Sequence, residues 1–282
     1  MLAEVGYQPN WIEILQLDFM RNAMVGGAMV AVAAGLIGYL VVLRRDAFAT
    51  HALGHIGFPG ATGAVLVGLP VALGLVVFCV VGAVVVGALG KEVERRDVAT
   101  GTVLAVAIAL GMLFGSLATR ATSTVTNVLF GNLLAVTGGQ LLLFALVAGA
   151  VLACLAVVGR PLLFASVSPA VAEARGVRVR LLGVVFTVLL ALVVAMAVQV
   201  IGTLLLFALV VTPAATALSL SARPRNAILG SGAIALVGTE VGLVISAMFN
   251  LPPTFPIVTL IALVWGVVIA VTARRKRGGA AT

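Results

Sequence analysis

The chain has 282 residues, of which 62% are hydrophobic and only 9% charged, and its mean hydropathy is +1.27. A soluble globular domain carries about a quarter charged residues, so that class is excluded and an integral membrane protein is required. The formal net charge of +8 does not point to nucleic acid, because the basic residues stand in short clusters between apolar runs.

Those runs are rich in Ala, Val, Leu and Gly and are about 20 residues long, the length a helix needs to cross hydrocarbon; barrel strands would be about half that and would alternate. The expected fold is therefore all-α, a polytopic membrane bundle of about nine helices. Met1 to Asp18 carries Glu4, Glu13 and Asp18 but no Lys or Arg, the reverse of the basic start of a secretory signal. With Trp11 among apolar neighbours, 1–18 reads as an external or interfacial segment, followed by a transmembrane domain over 19–273 and a basic cytoplasmic tail over 274–282. Nine apolar segments lie at about 22–43, 49–68, 70–89, 98–118, 138–159, 181–200, 202–219, 227–248 and 256–273. Only Leu69-Pro70 separates the second from the third, and only Ile201-Gly202-Thr203 the sixth from the seventh. A broken or re-entrant helix in either pair makes the count eight or ten.

With nine crossings, one side receives Arg44 and Arg45; Lys91, Arg95 and Arg96; Arg160, Arg175, Arg178 and Arg180; Arg223 and Arg225; and Arg274 to Arg277. Only Arg21 and Arg120 are left for the other side. The positive-inside rule then places the C-terminus in the cytoplasm and the N-terminus outside.

Both histidines, His51 and His55, fall four residues apart near the start of the second segment. On a helix they share one face, within reach of one ion, and neutral imidazole suits zinc, copper, iron or nickel. The alternative is that they satisfy backbone groups or sit among lipid headgroups. Cys79 and Cys154 lie within apolar spans, as packing residues with no expected disulfide. The connection from Gly159 to Arg180 contains a short helix, with Ser168 as cap, Pro169 in its first position and Gly176 ending it. Displayed on the cytoplasmic face, it either docks a soluble partner or is a plain surface helix. Pro213 marks a kink inside the seventh segment, where Thr212, a neighbour or water must satisfy the freed carbonyl. Glu240 lies within the eighth segment, either facing the ion held by the histidines or as a neutral acid hydrogen-bonded to a neighbouring helix. No phosphate-binding loop occurs, since Gly90-Lys91 is followed by Glu92 and lacks the glycine spacing, so the chain does not hydrolyse ATP itself. His-Glu-x-x-His and Gly-x-Ser-x-Gly sites are absent too.

Several blocks in order resemble the permease subunits of bacterial zinc, manganese and iron ABC transporters, the ABC-3 family. Phe19-Met-Arg-Asn-Ala-Met-Val-Gly26 and Leu40-Val-Val-Leu-Arg-Arg45 are similar to its first helix. His51-Ala-Leu-Gly-His55-Ile with Pro59-Gly60 is similar to its Asp-Ala-Leu-Ser-His-Ala block and following Pro-Gly. Leu129-Phe-Gly-Asn-Leu-Leu-Ala-Val136, Pro169 to Val177, Gly202-Thr-Leu-Leu, Pro213-Ala-Ala-Thr-Ala217 and Leu251-Pro-Pro match further blocks. The resemblance implies a type II importer-like homodimer in the bacterial plasma membrane, two cytoplasmic ATPase subunits and an external metal-binding protein. It implies no permanently bound cofactor, with Zn2+ or Mn2+ as the transported substrate. It makes Pro169, Glu173, Ala174, Arg175 and Gly176 the ATPase-coupling element.

His51 stands where the family usually places Asp. An imidazole in place of a carboxylate favours zinc over manganese, whose preferred ligands are oxygens. It also removes a negative charge, which Glu240 or Asp46 would restore, giving His51, His55, Glu240 and Asp46 as the expected metal set. Zinc import is the leading expectation and manganese or iron import the runner-up. From another class, a proton-coupled secondary carrier would use Glu240, and a non-transporting scaffold would tolerate loss of both histidines.

Overall fold

The computed structural model describes residues 6–89, 93–118 and 121–278; Lys91, Arg120 and the last residues of the basic tail lie outside the described residues. Among these the chain forms α1 (Trp11–Gln16), α2 (Asp18–Leu43), α3 (Ala47–Leu66), α4 (Val71–Leu89), α5 (Val93–Leu117), α6 (Ala121–Phe130), α7 (Gly138–Val167), α8 (Pro169–Ala174), α9 (Val179–Ile201), α10 (Leu206–Leu220), α11 (Pro224–Phe249) and α12 (Thr254–Gly278), with a 3-10 turn at Leu133–Ala135 and no strand. Each of the nine apolar segments is one helix, and seven of them are long and apolar enough to cross a membrane. α10 is shorter, at 15 residues. α3 has 20 residues but is diluted by His51, His55, Thr50, Thr62 and its glycines.

Lipid offers no hydrophobic drive for helices to associate, so close packing of small residues has to supply the contact. α2 is the central post, against α7, α9, α10 and α11. A Cβ on Gly35 would lie 2.7 Å from the Ser231 carbonyl oxygen on α11, and the Ser231 hydroxyl donates to the Gly35 carbonyl at 2.5 Å. A Cβ on Gly38 would overlap the Val210 carbonyl of α10. α3 and α4 meet in the same manner at Gly60 and Gly74, each backbone occupying the place of the other's missing side chain.

Three features depart from the sequence reading. The stretch between α5 and α7 is not a simple connection: it holds α6, which packs on α3 and α9, and the 3-10 turn, which packs on α2 and α9. The long connection expected from Gly159 to Arg180 is shorter, because α7 passes through Pro161 to Val167. Its start is secured by a capping box, in which the Gln140 N–H donates to Thr137 Oγ1 and the Thr137 N–H donates to Gln140 Oε1. Finally, Asp18 opens α2 rather than ending a separate segment, and the residues before it fold back onto α11, with Tyr7 edge-on to Phe249 at 6.4 Å and the Gln8 N–H donating to the Met248 carbonyl at 2.8 Å.

The break at Ile201-Gly202-Thr203 is real, and it has a counterpart at Gly131. Both glycines are left-handed, with φ of 81° and 75°. Around them the Asn132 N–H donates to the Gln199 carbonyl at 3.2 Å, the Thr203 N–H to Val128 at 2.9 Å and the Leu204 N–H to Leu129 at 3.3 Å. Two interrupted helices thus satisfy one another's exposed backbone groups, the condition under which lipid tolerates irregular chain.

Candidate metal site on helix α3

The corner before α3 is built by Arg45, whose left-handed backbone (φ 59°) ends α2 and lets the Asp46 N–H donate to the Val41 carbonyl at 2.9 Å. Asp46 then begins α3, its carbonyl accepting the Thr50 N–H at 3.0 Å and the Thr50 hydroxyl at 2.9 Å. Its carboxylate faces Arg44, Nε to Oδ2 at 3.4 Å. Arg44 also donates to Ser166 Oγ at 3.1 Å and lies 4.7 Å over the Phe186 ring. Asp46 is therefore part of a buried tie between the α2–α3 corner, α7 and α9.

One turn further along α3, His51 and His55 stand together. Their ring centroids are 4.9 Å apart at an interplanar angle of 78°. Both are half-buried. Gly54, between them, lets the α9–α10 break come close: a Cβ there would lie 2.9 Å from Leu206 Cδ2 and 3.8 Å from Thr203 Cβ. Gly57 similarly admits Leu75 and Cys79 of α4, and the Cys79 thiol donates to the Leu53 carbonyl at 3.4 Å. Pro59, inside α3, has no N–H to give to the His55 carbonyl four residues back, so that oxygen loses its usual helical partner.

The expected four-residue set is not assembled. Among the described residues no three of His, Cys, Asp and Glu come together as a metal site. Asp46 is held by Arg44, and Glu240 is on α11, which packs on α2, α10 and α12. Glu240 Oε1 is buried without a hydrogen-bond partner, so the neighbouring-helix bond open to it in sequence is not made either. Pro213 is buried in α10, which continues unbroken from Leu206 to Leu220; the Thr216 hydroxyl donates to the Thr212 carbonyl at 2.8 Å beside it.

Two features escaped the sequence reading. Thr203 is fully buried with its hydroxyl unpartnered, beside Gly54. A cavity of about 200 Å³ among α4, α6, α7 and α9 is lined by the amides of Asn127, Asn132, Gln140 and Gln199. It does not include the histidines, but its walls Leu75 and Val198 are the side chains that meet Gly57 and Gly54. The signal for both was the pairing of a helix break with polar residues inside apolar surroundings.

α8 forms as expected, with Pro169 in its first position, although the Ser168 side chain makes no capping bond. It ends in a Schellman turn: the Gly176 N–H donates to Glu173 at 2.9 Å and the Val177 N–H to Ala172 at 3.0 Å, with Gly176 at φ 79°. Ala172 is buried; Glu173, Ala174, Arg175 and Gly176 are exposed. The Arg175 guanidinium lies 6.0 Å from the Phe164 ring.

The ABC 3 transport family matches residues 16–273. The chain belongs to that family. This ABC-3 permease is 30% identical to the manganese transport system membrane protein MntC of Listeria innocua, over 84% of this chain and 85% of that one. It is also 30% identical to a probable iron transport system membrane protein of Haemophilus influenzae, over 95% and 99% of the two chains. In structure it is similar to a chain of PsaBC from Streptococcus pneumoniae in complex with Fab, with a TM-score of 0.83 at 29% identity, covering 92% of this chain and 94% of that one. The ABC-3 chain is thus a multi-pass membrane permease.

Proposed function

We propose that this ABC-3 permease imports a divalent transition metal across the bacterial plasma membrane, zinc in the first place, with His51 and His55 as transient ligands. The observation that carries the reading is the imidazole pair, 4.9 Å apart on one face of α3. Nitrogen donors without a gathered carboxylate favour zinc over manganese. A path ligand must also release its ion, so fewer than four strong ligands in one chain suits transport better than a closed structural zinc site.

A homodimer with its two α3 faces toward a shared pathway brings a second imidazole pair to the same ion. The amide cavity supplies a polar approach for a hydrated dication. α8, with exposed Glu173 and Arg175, docks a cytoplasmic ATPase that supplies the force, and an external metal-binding protein delivers the ion. The basic clusters keep the C-terminus in the cytoplasm and the N-terminus outside.

Manganese import is the second reading, favoured by the manganese-transport name of a relative at 30% identity. Uptake of radioactive zinc and manganese by cells expressing the whole transporter, each with the other as competitor, separates the two. Zinc uptake should be lost in His51→Ala/His55→Ala while the protein still assembles in the membrane. Undiminished zinc uptake in that variant, or manganese uptake that zinc fails to inhibit, would refute the zinc reading.

A further inference from the structure

α7 and α11 both pack on α2, and a groove of about 720 Å³ opens between them, with α2 as its floor. This is within the range of ~300–1,000 Å³ typical of ligand clefts. Leu36 and Leu40 of α2 form the floor, and leucines such as Leu155 of α7 and Leu229 of α11 form the walls. Two cations interrupt this apolar lining: Arg160 on α7 and Arg225 in the first turn of α11 both border the groove, and no carboxylate does. Both arginines are exposed, and among the described residues neither is in an ion pair. The rest of the lining is apolar, so the groove is amphipathic.

We propose that this groove binds one anionic phospholipid, its phosphate held between Arg160 and Arg225 and an acyl chain lying along the leucine walls. The two chemistries that a lipid needs meet in one groove. Guanidinium matches phosphate geometry with paired N–H donors, and basic pockets between membrane helices on the cytoplasmic side bind anionic headgroups. The arginines belong to the clusters that the charge distribution assigns to the cytoplasmic leaflet, where anionic lipid presents its phosphate at the same depth. Because the site spans α7 and α11, an occupying lipid bridges two helices that otherwise meet through α2.

The test uses the full-length permease in phosphatidylcholine nanodiscs containing spin-labelled phosphatidylglycerol or, in parallel, spin-labelled phosphatidylcholine. The wild type should immobilise the anionic label several-fold more than the neutral one. Arg160→Gln/Arg225→Gln should abolish that preference, and Arg160→Lys/Arg225→Lys should keep most of it. Leu155→Trp, which fills the groove and spares both arginines, should also lower the immobilised fraction. Equal immobilisation of the two labels by the wild type overturns the proposal. So does loss of preference in the glutamine variant with no effect of Leu155→Trp, which would mean a charged rim without a groove. Cross-linking of two copies through Leu229→Cys would show that protein, not lipid, covers this face, and would overturn it equally.

Discussion

Arg44 Nε lies 3.4 Å from Asp46 Oδ2, with the two side chains only 17% and 6% exposed, and this pair ties Asp46 into the α2–α3 corner. Removing one partner of a buried pair leaves the other charge uncompensated, at a cost of about 3–5 kcal/mol when burial is complete. Arg44→Gln and Asp46→Asn should therefore each lower the thermal stability of the purified permease by a few kcal/mol, about 1–3 on the scale for a lost charged hydrogen bond. Metal selectivity should not change. An Asp46→Asn protein with wild-type melting but no metal binding would reassign Asp46 as a ligand.

His51→Asp restores a hard oxygen donor beside His55. The ratio of zinc to manganese affinity should fall by about tenfold, equivalent to roughly 1.4 kcal/mol of differential binding. Competition titrations on the purified protein measure this directly. An unchanged ratio would show that position 51 does not touch the ion.

Gly202→Ala should be poorly tolerated. The residue sits at φ 81°, and a Cβ there would overlap the Leu129 carbonyl. Strain of this kind costs of order 1–3 kcal/mol before the overlap is counted. Expression and melting of Gly202→Ala and Gly131→Ala should both drop, whereas Gly87→Ala, with nothing within 4 Å of its added carbon, should behave as wild type.

At α8, Glu173→Lys reverses an exposed charge without touching the buried Ala172. Metal binding to the detergent-purified permease should persist while ATP-driven uptake by the whole transporter falls severalfold. If uptake is unaffected, α8 is a surface helix with no docking role.

Much of the fold was legible because lipid imposes length. Each apolar run became one helix, since in lipid a helix satisfies its own backbone groups and a break survives only where protein satisfies them, as at Gly131 and Gly202. Pro169 and Gly176 marked the ends of α8 because each restricts the backbone in its own way. The histidine pair was legible from helical spacing alone. What sequence concealed were relations between distant segments. α6 is ten residues of mixed polarity, without the apolar run that signals a span. Arg160-Pro161 reads as a helix end, yet α7 continues because a proline within a helix costs one hydrogen bond that neighbours can offset. The mutual hydrogen bonding around Gly131 and Gly202 leaves no trace in either stretch read by itself. Asp46 looked free for the ion because the geometry of its pairing with Arg44 depends on the left-handed turn at Arg45.

The most direct measurement is anomalous scattering at the zinc edge from crystals of the zinc-loaded permease. A metal peak at about 2.0–2.1 Å from one nitrogen of His51 and one of His55 is the expected result. A zinc peak elsewhere in the molecule, with both rings unligated, would contradict the assignment of these histidines to the transport path.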